Sequence, residues 1–275
     1  MGYVFKNTSA EEKNLQLYSN LLSLTFPDTK KYTPEFLNWQ YNLNPAGTVV
    51  GFDAFYDNEL VGHYVTLPVF YTYNGEKIKG LLSLNTATHQ NHQGKGLFTQ
   101  LATKTYEYAT EQDFQFVVGV ANQNSTHGFI KKLGFTLVSP LAVKIFIGEA
   151  KLNNPNLNFF QSVWTKELAE WRVKNPSNIY FKNKHNILSK THISFINAVL
   201  SQKAGLVESV SLGRTNSLLK MTIGNNLKKS GWMNINLPDK FKPSPLNLIF
   251  KSLTKKQMIP DKDQFYFELV DFDAY

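Results

Sequence analysis

At 275 residues, with 42% hydrophobic, 14% aromatic and only 18% charged residues, the chain can bury a core in one extended fold or two modest modules, and disorder is excluded. The absence of cysteine removes disulfides, thiolate-bound metals and a cysteine nucleophile. Lysine and arginine exceed the acids by 29 to 21, but pairs such as Lys30-Lys31, Lys131-Lys132, Lys228-Lys229 and Lys255-Lys256 are scattered, so no nucleic-acid partner is expected and a polyanionic small ligand would suit the field.

No apolar run reaches membrane-spanning length and the first residues lack a signal-peptide layout, so a cytoplasmic chain with no membrane partner is expected. Ser9 with Glu12 reads as a capping box ahead of Leu15, Tyr18, Leu21 and Leu22, predicting a helix over 10–24. Thr33-Pro34 opens a second helix. Strand-rich runs at 49–56 and 60–69 flank Asp57-Asn58 and predict an antiparallel hairpin, with a third strand over 79–88. After Gln93-Gly94-Lys95-Gly96, the positions Phe98, Leu101, Ala102, Tyr106 and Ala109 mark a helix. A buried strand follows at 114–120, then a compact helix over 125–133 stopped by Gly134, and a strand over 135–147.

A boundary is placed near residue 150, giving a first module over 1–150, a connecting helix within 151–178 and a second module over 179–275. Strands at 179–182, 192–199 and 206–212, a helix near 216–227, a strand at 232–236, a helix near 246–255 and a strand at 265–270 repeat the order of the first half. Only Gly213-Arg214 precedes the helix expected after Leu212, so this second module has no glycine turn of its own.

The turn Gln93-Gly94-Lys95-Gly96 offers successive backbone N–H groups at a helix start, which is chemistry for a pyrophosphate. The stretch Thr88-His89-Gln90-Asn91-His92-Gln93-Gly94-Lys95-Gly96-Leu97 resembles the cofactor loop of GNAT acyltransferases. Asn122-Gln123-Asn124-Ser125, continued by Phe129-Ile130-Lys131-Lys132-Leu133-Gly134-Phe135, resembles their second motif, and the likeness runs over residues 1–147 in element order. The resemblance implies an α/β (α+β) GNAT fold with a central mixed, mostly antiparallel sheet, followed by a GNAT-like module lacking the cofactor loop. It implies an acyl-CoA co-substrate whose pantetheine arm pairs with the backbone of Thr86, Ala87 and Thr88 where two strands splay apart. Gln93, Gly94, Lys95, Gly96, Leu97 and Phe98 would then hold the pyrophosphate, and Asn122, Ser125 and Phe129 would complete the cofactor site, with Phe129 and Phe135 also packing as core.

Two positions depart from the family pattern. Phe98 stands where the loop usually ends on Gly or Ala, and its bulk either narrows the cradle or turns into the core. Ile130 stands where many members have the tyrosine that protonates the leaving thiolate. There is no Asp or Glu from Gly80 to Tyr106, so no general base is evident, and an amine of pKa about 8 is already partly neutral near pH 7. Asn85, His63 and His127 are candidates for positioning or proton relay, against the ordinary alternative of surface or satisfied core residues. Backbone N–H groups near Asn85 and Thr86 would face the oxyanion. The six histidines show no paired ligand spacing, and no metal is expected.

Upstream, Trp39-Gln40-Tyr41-Asn42-Leu43-Asn44-Pro45-Ala46-Gly47 places Trp39, Tyr41 and Asn44 where the fold lines its acceptor pocket, although packing explains the two aromatics as well. With Ser244-Pro245-Leu246-Asn247-Leu248 and Asp271-Phe272-Asp273-Ala274-Tyr275, this stretch resembles a bacterial GNAT subgroup that acylates the amine of dTDP-linked 3-amino-3,6-dideoxyhexoses for surface polysaccharide. The donor there is acetyl-CoA or 3-hydroxybutanoyl-CoA, and the second module would enclose the acceptor or form a homodimer. The alternatives are another amine acceptor, such as an aminoglycoside, a polyamine, an amino acid or a protein lysine, and a non-catalytic CoA-sensing module.

Overall fold

The computed structural model describes residues 2–149, 159–215, 217–225, 233–235, 245–258 and 260–272. Strands β1 (Val4–Asn7), β2 (Val50–Tyr56), β3 (Glu59–Tyr73) and β4 (Glu76–Thr88) are antiparallel neighbours. Asp57 and Asn58 at φ 50° and 67°, and Asn74 and Gly75 at φ 50° and 82°, turn the two hairpins with the left-handed pairs that match strand twist. Helices α1 (Glu12–Thr25) and α2 (Pro34–Tyr41) lie over this meander, and Leu15, Tyr18, Leu22, Phe36, Leu37 and Tyr41 bury against Val65, Leu67 and Ala87. Helix α3 (Leu97–Glu111) packs Leu97, Leu101, Ala102 and Tyr106 with Val61, Tyr64 and Val117.

Next come β5 (Phe116–Ala121), α4 (Gln123–His127) with a π turn over Gly128–Lys132, β6 (Thr136–Pro140) and β7 (Ala142–Ile147). The rest is β8 (Phe160–Ser162), α5 (Lys166–Arg172), β9 (Tyr180–Lys182), β10 (Ile187–Lys190), β11 (Ile196–Ser201), β12 (Leu219–Gly224), β13 (Met233–Ile235), β14 (Asn247–Ser252) and β15 (Phe265–Tyr266). Among the described residues these strands form two mixed sheets. One runs β1-β2-β3-β4-β5-β14-β6, with β8 beside β3 beyond the end of β2 and β15 beside β8. The other runs β13-β7-β12-β11-β10-β9. The α/β class, with a central mixed sheet and a second sheet after it, is as expected.

The sheets exchange strands across residue 150. After Leu141, β7 leaves for the second sheet, and β14 returns to lie between β5 and β6 of the first. The helix expected over 246–255 is this strand. Leu246, Ile249, Phe250 and Leu253 do fit helical spacing, but Leu248, Ile249 and Phe250 are all buried, as a central strand requires and a one-sided helix does not. The helix expected near 216–227 is β12 where it is described, with 216, 226 and 227 outside the described residues. Residues 206–212 form no strand; a 3-10 turn covers Ala204–Val207. Two strands replace the one over 135–147, and the strand expected at 265–270 shortens to β15 followed by a 3-10 turn over Leu269–Asp271. Strands β1, β8 and β10 had no counterpart in the sequence pattern; β8 takes Phe160–Ser162 from the expected connecting helix, which within the described residues is only α5. The Ser9–Glu12 capping box is absent too, because α1 begins after Glu11, whose N–H donates to Ser9 Oγ at 3.3 Å.

One core joins both sheets. Tyr71, Phe116, Phe160, Phe250 and Phe265 meet at ring separations of 4.6 to 5.9 Å and continue into Ile187, Ala198, Leu200 and Ile223 of the second sheet. A fragment ending at residue 149 lacks the strand between β5 and β6, so it is expected to bind ANS and to show no cooperative melt. In the full chain, Ile249→Asp is expected to cost at least about 3 kcal/mol in urea unfolding, the penalty of an unpaired buried charge.

Candidate active site

Parallel pairing of β4 with β5 covers only Leu81–Ser83 against Val117–Gly119, although the strands run on to Thr88 and Ala121. The cause is a bulge on β4, where Asn85 and Thr86 together oppose the single residue Tyr64 and Asn85 adopts φ 44°. An extra residue bends the strand that carries it. On its other edge β5 stays fully bonded to β14, so β5 holds its course while β4 turns away. The wedge between them opens beside Thr86 and Val120. Thr88 pairs with Gly62, whereas the Ala87 side chain is buried under α1 and α2, so what Ala87 offers the wedge is backbone.

The chain then turns through a 3-10 helix, Gln90–His92, into Gln93-Gly94-Lys95-Gly96, all four exposed. Gly94 and Gly96 both have φ 74°, which an L side chain adopts only with strain, and Gly96 is the N-cap of α3 with no side chain to satisfy the first helical N–H groups. Those groups and the positive end of α3 therefore face outward, the arrangement that receives a phosphate. Gln93 Nε2 donates to Thr88 carbonyl oxygen at 3.3 Å and closes the loop. Leu97 is core. Phe98 meets Tyr64 and Phe129 edge-on at 5.9 and 5.3 Å, so its bulk turns toward the core and lines the wedge instead of filling the cradle.

Asn122 caps α4, accepting from the N–H groups of Asn124 and Ser125 at 3.0 Å, while its own N–H donates to Ser125 Oγ at 3.1 Å. Both residues line the wedge opposite Thr86, with Phe129 behind them against Phe98 and Phe135. His127, by contrast, is exposed at the end of α4 and lies away from the cavity wall.

His63 is fully buried. Its Nδ1 lies 2.6 Å from Asp53 Oδ1 and its Nε2 3.0 Å from the Tyr41 hydroxyl, and Tyr18 stacks on the ring at 4.3 Å. Tyr41 in turn accepts from Asn85 Nδ2 at 3.0 Å, and the same amide donates to Gln40 Oε1 at 2.6 Å. Burial holds the Tyr41 hydroxyl well above its usual range, so it stays protonated. Asp53 carries no motif; its place in an alternating strand, two residues from Phe55 and facing His63 across the hairpin register, is the signal that could have revealed it.

From the wedge a single cavity of about 710 Å³ runs along β3 and β4 to α5 and the last described residues. Its walls are aromatic, with Phe26, Tyr32, Phe70, Tyr71, Trp164, Trp171 and Phe272, and its charged residues are Lys31, Arg172 and Asp271. Of the three expected acceptor residues, Asn44 lines it, tied to Pro68 carbonyl oxygen at 3.1 Å. Tyr41 is buried behind Asn85. Trp39 is buried too, stacked on Trp171 at 4.6 Å with each indole N–H donating to the other's backbone carbonyl at 2.9 Å, so Trp171 supplies the exposed face.

Asp271 accepts from the Ser162 hydroxyl, from Trp164 Nε1 at 2.9 Å and from the Glu268 N–H at 2.7 Å. Burial, reinforced by Glu268, raises its carboxyl above the ordinary range despite Lys203 and these donors. The folded chain thus holds this proton more tightly than the unfolded one. The resulting stability is complete below about pH 4, the unfolded value, and is lost as pH rises through the folded value. Relative to Asp271→Asn, the wild type is expected to lose Tm as pH rises above about 4, whereas parallel Tm curves would contradict this assignment.

Among the described residues no helix is long and apolar enough to cross a membrane, and no three His, Asp or Glu gather as metal ligands. Residues 7–138 match the model of an acetyltransferase (GNAT) domain. No curated protein matches the chain by sequence. Among solved structures, a probable N-acyltransferase from Enterococcus faecalis is similar at TM-score 0.59 and 8% identity, over 92% of this chain and 73% of that one. A GCN5-related N-acetyltransferase from Anabaena variabilis has TM-score 0.59 and 13% identity, over 91% and 73%, and one from Kribbella flavida 0.56 and 10%, over 92% and 72%. Residues 7–138 thus form an acetyltransferase (GNAT) domain, and the chain has the fold of these N-acyltransferases over nine-tenths of its length.

Proposed function

We propose that the chain transfers an acetyl or 3-hydroxybutanoyl group from CoA to the primary amine of a small molecule, and that the acceptor is a dTDP-linked 3-amino-3,6-dideoxyhexose. The observation that carries this reading is the single cavity that begins at the β4–β5 wedge and ends between aromatic walls with Lys31 and Arg172. Aromatic faces suit a thymine ring and an apolar deoxysugar, and cations suit its diphosphate, whereas a protein lysine would call for an open acidic groove. In this reading residues 151–275 supply the far wall, through Ser162–Arg172 and Val270–Phe272.

The residues present fit acyl-CoA. A methyl group built on Gly94 would meet nothing within 4 Å, so the loop is open to a phosphate, and the edge of β4 that faces β5 over Thr86–Thr88, beyond the last pair at Ser83, can take the amide arm as a strand would. CoA supplies the activated thioester. Asn122 and Ser125 shape the opposite side of the wedge, and backbone N–H groups near Asn85 and Thr86 stabilise the charge that develops on the thioester oxygen. The amine nitrogen bonds to the acyl carbon, the carbon–sulfur bond breaks, and the amine proton leaves with the thiol or to water. The wedge contains no carboxylate from β4 or the loop, so the rate rests on orientation and oxyanion stabilisation.

The test is release of free thiol from acetyl-CoA and 3-hydroxybutanoyl-CoA with dTDP-3-amino-3,6-dideoxyglucose, an aminoglycoside, spermidine and lysine. Release with the nucleotide sugar alone is the expected result; release with other amines only would discard the sugar, and CoA binding without release would favour a CoA-sensing module. In the cradle, Gly96→Ala is expected to weaken CoA binding about tenfold by calorimetry, while costing about 1 kcal/mol in stability for a left-handed alanine.

A further inference from the structure

The buried chain of side chains behind the wedge has a definite hydrogen-bond polarity, and that polarity reaches the cavity. We propose that Asn85 presents its carboxamide oxygen to the acceptor amine, and that Asp53, His63 and Tyr41 are positioning residues that hold it in that sense. The inference rests on the N-acyltransferase reading of the same site.

The polarity follows from which groups can donate. Asp53, 2% exposed, sits among donors: Thr8 Oγ1 at 3.1 Å, Tyr18 hydroxyl at 2.7 Å and His63 Nδ1 at 2.6 Å. A carboxylate only accepts, so Nδ1 carries the proton and, in the neutral ring, Nε2 must accept. The Tyr41 hydroxyl therefore donates to Nε2, and its oxygen has only lone pairs left for Asn85. Those lone pairs require an N–H, which is Nδ2 at 3.0 Å, and the second Nδ2 hydrogen goes to Gln40 Oε1 at 2.6 Å. Both amide hydrogens are committed, so the carboxamide oxygen is what Asn85 has left for a ligand. Asn85 and Gln40 both line the cavity beside Thr86.

A primary amine bound there donates one N–H to Asn85, which turns its lone pair toward the acyl carbon. Nitrogen gains positive charge as it attacks, so this hydrogen bond is stronger in the transition state than in the bound substrate and raises kcat. The bulge is part of the device, because asparagine tolerates the φ of 44° that aims the side chain into the wedge. The groups facing His63 are Asp53 from β2, Tyr18 from α1 and Tyr41 from α2, and among the described residues Asp53 is its one ion-pair partner.

Steady-state kinetics with acetyl-CoA and the fastest amine of the panel test this, using Tyr41→Phe, Asn85→Gly and their double variant. Glycine keeps the positive φ, so Asn85→Gly is readable even where loss of the buried hydroxyl weakens folding. Each single variant is expected to lose kcat about 10- to 100-fold with CoA affinity within about twofold, and the double variant no more than either alone. Kcat within about twofold of wild type, a loss that appears in CoA affinity instead of kcat, or additive losses would overturn the inference while leaving the enzyme reading intact. No acceptor-dependent turnover by the wild type would overturn both.

Discussion

Two parallel strands that stop bonding partway along their length set the terms for the rest of the molecule. An interrupted ladder leaves backbone donors and acceptors that cost free energy unless a ligand or solvent meets them, so the gap between β4 and β5 persists only where the surroundings enforce it. Two features do so. The bulge at Asn85 and Thr86 bends β4 out of register, and β14 satisfies the far edge of β5 over its whole length, removing any tendency of β5 to follow. The aligned positions of the Gly94–Gly96 cradle, the capped start of α4 and the open backbone of Thr86–Thr88 all depend on that fixed divergence. Each is weak evidence for a cofactor site alone. Their convergence on one wedge is what supports the proposed acyl-CoA site.

The second half of the chain is bound into this arrangement at several points. Strand β14 is a central strand of the first sheet, and the paired indoles of Trp39 and Trp171 lock α5 to α2 through two hydrogen bonds and a stacked face. The segment that ends the cavity is held from the second sheet. Glu268, 5% exposed, accepts from Lys203 Nζ at 2.6 Å, Ser201 Oγ at 3.0 Å and Tyr266 hydroxyl at 2.6 Å, and its own N–H fixes Asp271. A buried carboxylate with this many donors is costly to disturb, so the far wall is a rigid boundary and the cavity has a set length.

The sequence was most informative where chemistry and local geometry coincide. Gly94 and Gly96 are legible because only glycine takes that backbone without strain, and Asn122 with Ser125 because a capping side chain and its reciprocal partner lie three residues apart. The hairpin turning on Asp57-Asn58 is legible because these two residue types tolerate the left-handed backbone that a tight turn needs. What was hidden is long-range. Nothing local separates Leu248-Ile249-Phe250 in a central strand from the same residues on a helix, since the choice is made by β5 and β6, more than a hundred residues earlier for β14's main partner. The acceptor residues suffered likewise: Trp39 and Tyr41 have the right types, but burial turned them into supports, and the exposed faces belong to Trp171 and Asn85. His63 was visible as a histidine, yet its meaning depends on Asp53 across a strand pair and Tyr41 on a helix.

Backbone hydrogen exchange read by mass spectrometry, with CoA or with adenosine 3′,5′-bisphosphate, addresses the wedge most directly. CoA should protect both the Gly94–Leu97 amides and those of Thr86–Thr88, while the bisphosphate, which lacks the pantetheine arm, should protect only the loop. Equal protection by the two ligands, or CoA protection that spares Thr86–Thr88, would contradict the assignment of the β4–β5 wedge as the channel that carries the thioester to the acceptor.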